Sequence, residues 1–104
     1  MAKLTAEQAE SLPKNQRVLV TVTRDSGDVE KVAFRKPKRM ELEQMAATHE
    51  KAPLSSVANL LKSCCLTHEP AQLDQIFDEV AIMEVVLPAL IELRNAGVEL
   101  EKKG

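Results

Sequence analysis

The sequence predicts an α+β domain, with an N-terminal β-hairpin followed by about four helices forming a small bundle. Three observations predict it. Apolar residues alternate on either side of an Asp-Ser-Gly-Asp turn between Arg17 and Phe34, helical spacing takes over beyond Pro37, and prolines at positions 53 and 70 punctuate the helical half. A chain of 104 residues, 44% hydrophobic and 29% charged, holds one folded domain with one core.

Residues 1–15 mix Ala, Glu and Gln without a sustained apolar stripe and read as a flexible N-terminal arm, with a frayed helix as the other reading. Residues 16–97 form the single domain and residues 98–104 a charged tail. From Arg17 to Arg24, Val18, Val20 and Val22 share one face and Arg17, Thr21 and Thr23 the other, with Leu19 breaking the alternation. Asp25-Ser26-Gly27-Asp28 supplies turn residues, Gly27 being free to take positive φ, and Val29 to Phe34 returns as the second strand.

Pro37 cannot donate to a ladder but suits the first turn of a helix. Leu42, Met45, Ala46 and His49 then recur at i, i+3, i+4 and i+7, ending before Pro53. A second helix carries Leu54, Val57, Leu60, Leu61 and Cys64 on one face, and a third, beyond His68-Glu69-Pro70, carries Leu73, Ile76 and Phe77. Between Val80 and Leu93 only Glu84, Pro88 and Glu92 are not apolar, and their spacing makes one narrow stripe on a last helix. Pro88 is expected to kink or restart that helix, and Asn95-Ala96-Gly97 to cap it.

Composition excludes several classes of function. Basic residues slightly outnumber acids in residues 1–52 and are outnumbered two to one in residues 53–104, and neither imbalance calls for a nucleic acid or a membrane as an obligatory partner. The start lacks the apolar core of a signal peptide and no run spans a bilayer, so a cytoplasmic location is expected. Cys64 and Cys65 are adjacent and cannot staple distant segments, so both are expected reduced. Glycines stand only at 27, 97 and 104, too far apart for a phosphate loop.

No enzyme and no cofactor are expected. Cys64 and His68 stand at i, i+4, and with His49 could offer three zinc ligands, yet no CxxC or HxxxH spacing supports a site. Asp25 and Asp28 are ordinary turn residues, without the twelve-residue pattern of a calcium loop. The basic run Arg35, Lys36, Lys38, Arg39 supplies the alternative function, a small nucleic-acid-binding regulator, although a chain whose only aromatics are Phe34 and Phe77 has little with which to stack bases.

The last helix carries more apolar surface than one stripe needs. A helix at the rim of a small domain shows water a broad polar face, and this one has almost none. Either it is the central helix, or part of it forms an interaction patch that a partner or a second copy covers. Met83, Val86, Leu87, Leu90 and Ile91, beside the Glu84, Pro88, Glu92 stripe, are the candidate partner-binding residues.

From about Val18 to Gly97 the chain resembles the tail assembly chaperones of long-tailed bacteriophages and prophages. The resemblance lies in Phe34-Arg35-Lys36-Pro37, Pro53-Leu54, Asn59-Leu60-Leu61, Glu69-Pro70 and the leucine-rich end. It implies a non-enzymatic protein of the bacterial host cytoplasm that binds the tape measure protein, keeps it soluble and helps recruit tail tube protein, commonly as a homo-oligomer. It further implies a short form, which this chain would be, and a longer, frameshifted form, since Lys102-Lys103 can be encoded by A-AAA-AAG, a run on which ribosomes slip back by one base.

Overall fold

The computed structural model describes residues 3–79, 81–96 and 98. Its order of elements is α1 (Ala6–Glu10), a 3-10 turn (Lys14–Gln16), β1 (Arg17–Thr23), β2 (Val29–Arg35), α2 (Arg39–His49), α3 (Pro53–Cys64), α4 (Pro70–Glu79) and α5 (Ile82–Asn95). The architecture is the α+β arrangement that the sequence predicts, a two-stranded antiparallel hairpin followed by four helices, with α1 added ahead of it.

The hairpin turns where Gly27 takes a φ of 92°, which only glycine adopts without strain. Val18 lies opposite Phe34, Val20 opposite Val32 and Val22 opposite Glu30. Val22, Val32 and Phe34 join Val57, Leu60, Leu61, Cys64, Cys65, Leu73, Ile76, Ile82, Val86 and Leu90 in one core. Leu19, which breaks the alternation, lies opposite the fully buried Ala33 on the other face. That face is covered by α1.

Here the structure corrects the expectation of a free arm. Thr5 caps α1 through a reciprocal pair of hydrogen bonds with Gln8, Ala9 is fully buried, Lys31 pairs with Glu10, and the Leu4 amide donates to the Leu66 carbonyl. The segment therefore belongs to the domain. Between Leu4 and Leu12 its apolar content is two leucines and two alanines, Ala6 and Ala9, too little to form a stripe that periodicity could register.

The start of α2 is set by Glu41. Its carboxylate accepts the Lys38 amide at 2.8 Å and both arms of the Arg35 guanidinium at 2.8 Å, while Arg35 also donates to the Ser63 carbonyl at 2.8 Å. One ion pair thus ties the end of β2 to the start of α2 and the end of α3. Helix α2 buries no residue fully, and of its expected stripe Leu42 and Met45 are half-buried while Ala46 and His49 are exposed.

Helix α5 runs without interruption through Pro88, whose ring lies on the exposed side, so the expected kink or restart is not a break in the helix. Val80, Gly97 and the tail from 99 to 104, including Lys102 and Lys103, lie outside the described residues. Among the described residues no helix is long and apolar enough to cross a membrane.

Candidate partner-binding surface

Three helices frame a shallow groove of about 470 Å³. Leu54, Ala58 and Lys62, one helical turn apart on α3, form one wall, Asp74, Phe77 and Asp78 of α4 the other, and Met83 at the start of α5 closes one end. Lys62 Nζ reaches Asp74 Oδ1 at 2.6 Å across the groove. Leu54 is 72% exposed. Apolar Leu54, Ala58, Phe77 and Met83 are interleaved with Ser55, Asn59 and Lys62, and Asp74 and Asp78 make the α4 side acidic, a mixed lining that suits an amphipathic segment with apolar residues on one side and basic or polar ones beside them.

The expectation that Leu54 shares the inward face of α3 is not met: Val57, Leu60, Leu61 and Cys64 enter the core, whereas Leu54 is exposed at the groove. A second depression of about 370 Å³ lies between α2 and α3, where Glu41, Gln44, Thr48, Asn59 and Ser63 alternate with Met45, Ala47 and Leu60.

The five candidate residues of α5 separate into three environments. Val86 and Leu90 are fully buried in the chain's own core, which corrects their assignment to a binding face: they lie four apart on the line that meets β1, together with Ile82. Met83 and Leu87 are half-buried on the side toward α3 and α4, and Met83 lines the groove. Ile91 is 39% exposed. Val85, absent from the candidate set, is 65% exposed and carries the most open apolar surface of the helix.

A polar cluster that sequence spacing could not reveal sits near the turn end of the hairpin. Arg24 at the end of β1 holds Glu79 at the end of α4 with two bonds of 2.7 and 2.9 Å, and Glu30 with a third of 3.0 Å. Glu30 in turn meets His68 Nε2 at 2.9 Å, and the other imidazole nitrogen, Nδ1, lies 2.8 Å from the Thr67 hydroxyl. The partners are 38 and 55 residues apart, so no local pattern announces them.

Charge follows from those contacts. The Arg24 guanidinium and the Asp25 amide hold the Glu79 carboxyl down at about 2, and His68 with Arg24 lowers Glu30 against the opposing effect of burial. His68 is raised by the neighbouring Cys65 thiol and by Glu30. Burial pushes Cys65 up, but bonds from His68 and Thr67 outweigh it and its thiol is lowered, whereas burial beside Glu41 pushes Cys64 up to about 11. Cys65 is only 3% exposed and both nitrogens of His68 are engaged, so the cluster offers a substrate neither an open nucleophile nor an idle base.

The three residues considered as zinc ligands are not brought together. His49 Nδ1 lies 3.3 Å from the Ser56 hydroxyl, His68 faces Glu30, and Cys64 points toward Glu41. In the basic run, Arg35 is taken up by Glu41 and Ser63, and Arg39 pairs with Glu43 at 2.9 Å. Lys36 and Lys38 remain exposed.

Comparison with family models, with curated proteins and with solved structures returns no match.

Proposed function

We propose that this chain is a non-enzymatic tail assembly chaperone of a long-tailed phage or prophage, acting in the bacterial host cytoplasm. Its client is the tape measure protein, which it keeps soluble and presents for assembly of the tail tube. The observation that carries the reading is the open groove of α3, α4 and α5, where Leu54 is exposed and Ala58, Phe77 and Met83, half-buried at the margin of the core, leave part of their apolar surface open. The sequence resemblance supplies the client.

In this reading an amphipathic helix of the client lays its apolar face on Leu54 and Phe77, while the Asp74 and Asp78 lip meets its basic or polar flank. Each apolar side chain so covered contributes roughly 25 cal/mol for every Å² removed from water, less the cost of ordering the client. Such a contact is strong enough to prevent aggregation and weak enough to be displaced by the tube. Chemistry at the site is unnecessary for this task.

The test is co-expression with the long, helix-rich protein encoded just downstream. The expected result is that this protein becomes soluble and copurifies, and that Leu54→Glu, a change at an exposed position, abolishes copurification while the chaperone stays folded. A wild-type chain that is folded and never associates with that protein would overturn the reading.

A further inference from the structure

The two edges of the hairpin are treated differently. On β2 the Ala33 amide donates to Thr67 Oγ1 at 3.1 Å and its carbonyl accepts the Leu66 amide at 2.8 Å, so the loop after α3 covers that edge. Because Ala33 points its backbone groups away from β1, so does its partner Leu19 point away from β2, and by alternation so do Arg17, Thr21 and Thr23. Among the described residues, no other backbone pairs with that outer edge of β1.

Exposed edges in single-chain proteins are normally guarded by a charge, a proline or a bulge. Arg17 is the one charge on this edge, at its end; from Val18 to Thr23 the sequence Val-Leu-Val-Thr-Val-Thr has no charge, proline or bulge, and Val18, Leu19 and Val20 remain only half-buried. Thr21 and Thr23 are exposed.

Helix α5 runs antiparallel to β1 and packs on it: it follows Glu79, which is held at Arg24, and ends where Arg94 donates to the Pro37 carbonyl at 2.8 Å, beside the other end of the strands. Ile82, Val86 and Leu90 face the core, and Met83 faces α3 and α4. By helical geometry the opposite flank, Val85, Ala89 and Leu93, then lies toward the open edge of β1. Val85 is exposed, and Ala89 and Leu93 are half-buried.

We propose that β1 pairs antiparallel with the β1 of a second copy of this chain, making a continuous four-stranded sheet in the order β2-β1-β1-β2. The edge is self-complementary. With Val20 of the two copies on the two-fold axis, Leu19 of each stands opposite Thr21 of the other and Arg17 opposite Thr23, so all four outward residues of each strand exchange amide and carbonyl bonds. Val20 meets its own counterpart as a β-branched cross-strand pair. The same rotation sets the two α5 helices side by side on one face of the joint sheet, bringing Val85, Ala89 and Leu93 of one copy against those of the other. Strand pairing alone would be a small contact, and the helix flank provides the apolar area a stable dimer needs. The α3–α4–α5 groove stays open in this arrangement, and the proposal stands whether or not the client reading does.

The test uses the purified chain alone. Light scattering or sedimentation across a dilution series is expected to give twice the mass of one chain, and hydrogen exchange to show the Thr21 amide protected as strongly as the Val20 and Val22 amides that bond β2. Thr21→Pro removes an amide that serves only the outer edge, and is expected to yield a monomer with an unchanged circular dichroism spectrum. Val85→Glu, on the helix flank, is expected to weaken the dimer by roughly tenfold. A chain that is monomeric at every concentration overturns the proposal, as does a dimer in which the Thr21 amide exchanges freely or one that survives Thr21→Pro. Should Thr21→Pro fail to fold, the exchange of Thr21 in the unmodified chain decides alone.

Discussion

At the scale of single residues, the cluster of Arg24, Glu30, Glu79 and His68 sets how stability responds to pH. Glu79 sits at about 2 against its ordinary 4.5, and Glu30 and Glu41 are lowered from the same value by His68 and Arg35 respectively. Their contribution is complete above pH 4.5 and is lost as the pH falls through the folded values. His68 is raised above its ordinary 6.5, so its contribution is complete below 6.5 and is lost as the pH climbs through the folded value. Melting temperature is therefore expected to hold a plateau between 4.5 and 6.5 and to decline on either side. Followed to about pH 8, below the ordinary thiol range, His68→Asn should flatten the alkaline limb and, because His68 is the main cause of the lowering of Glu30, shrink the Glu30 share of the acid limb while leaving the shares of Glu79 and Glu41. An unchanged alkaline limb would remove His68 from this account. In the sequence His68 is a loop residue ahead of Pro70, because nothing local points to a carboxylate on β2.

At the scale of elements, the turn and the last helix make opposite predictions about backbone. Gly27 at φ 92° is the turn residue the sequence marks, and Gly27→Ala is expected to cost about 1 kcal/mol in a urea titration. Pro88 lies inside a continuous helix on the solvent side, where its missing amide leaves a carbonyl unpaired one turn back. Pro88→Ala should therefore stabilise the chain by roughly 1–3 kcal/mol, unless the loss of chain stiffness in the unfolded state cancels the gain. Periodicity located both strands and helices α2 to α5, since alternation and i, i+3, i+4 spacing survive in sequence. It could not locate α1, where burial rests on Ala9 alone, nor foresee that Leu54 would be exposed at the groove, since spacing does not fix what stands opposite.

At the scale of the whole molecule, α5 serves three neighbours at once, which accounts for its surplus of apolar residues. One line of side chains fills the core, one side borders the α3–α4 groove, and one flank lies along the bare edge of β1. These should separate in experiment. Leu90→Ala is expected to cost about 2–5 kcal/mol of stability, because a fully buried leucine leaves a cavity, and Val86→Asp should unfold the chain. Val85→Glu should leave monomer stability within about 0.5 kcal/mol, as befits an exposed position. A single helix-wide apolar excess was legible in the sequence; its division among core, groove and edge was not, because that depends on α5 crossing β1 and on which of its sides meets α3.

The two adjacent cysteines give the molecule a built-in clock. Cys64 and Cys65 both belong to the buried core, Cys64 on the inward face of α3 with its thiol toward Glu41, and Cys65 in the loop after α3, bridging to Phe34 at the covered edge of β2 with its thiol beside Thr67 and His68. A thiol reagent can reach Cys65 when only the loop after α3 lifts from the strand, and Cys64 only when the core itself comes apart. With the Cys65 thiol lowered and the Cys64 thiol raised, labelling should proceed in two phases, Cys65 first. The interval between them would time how much more readily the guarded edge of the sheet opens than the protein unfolds.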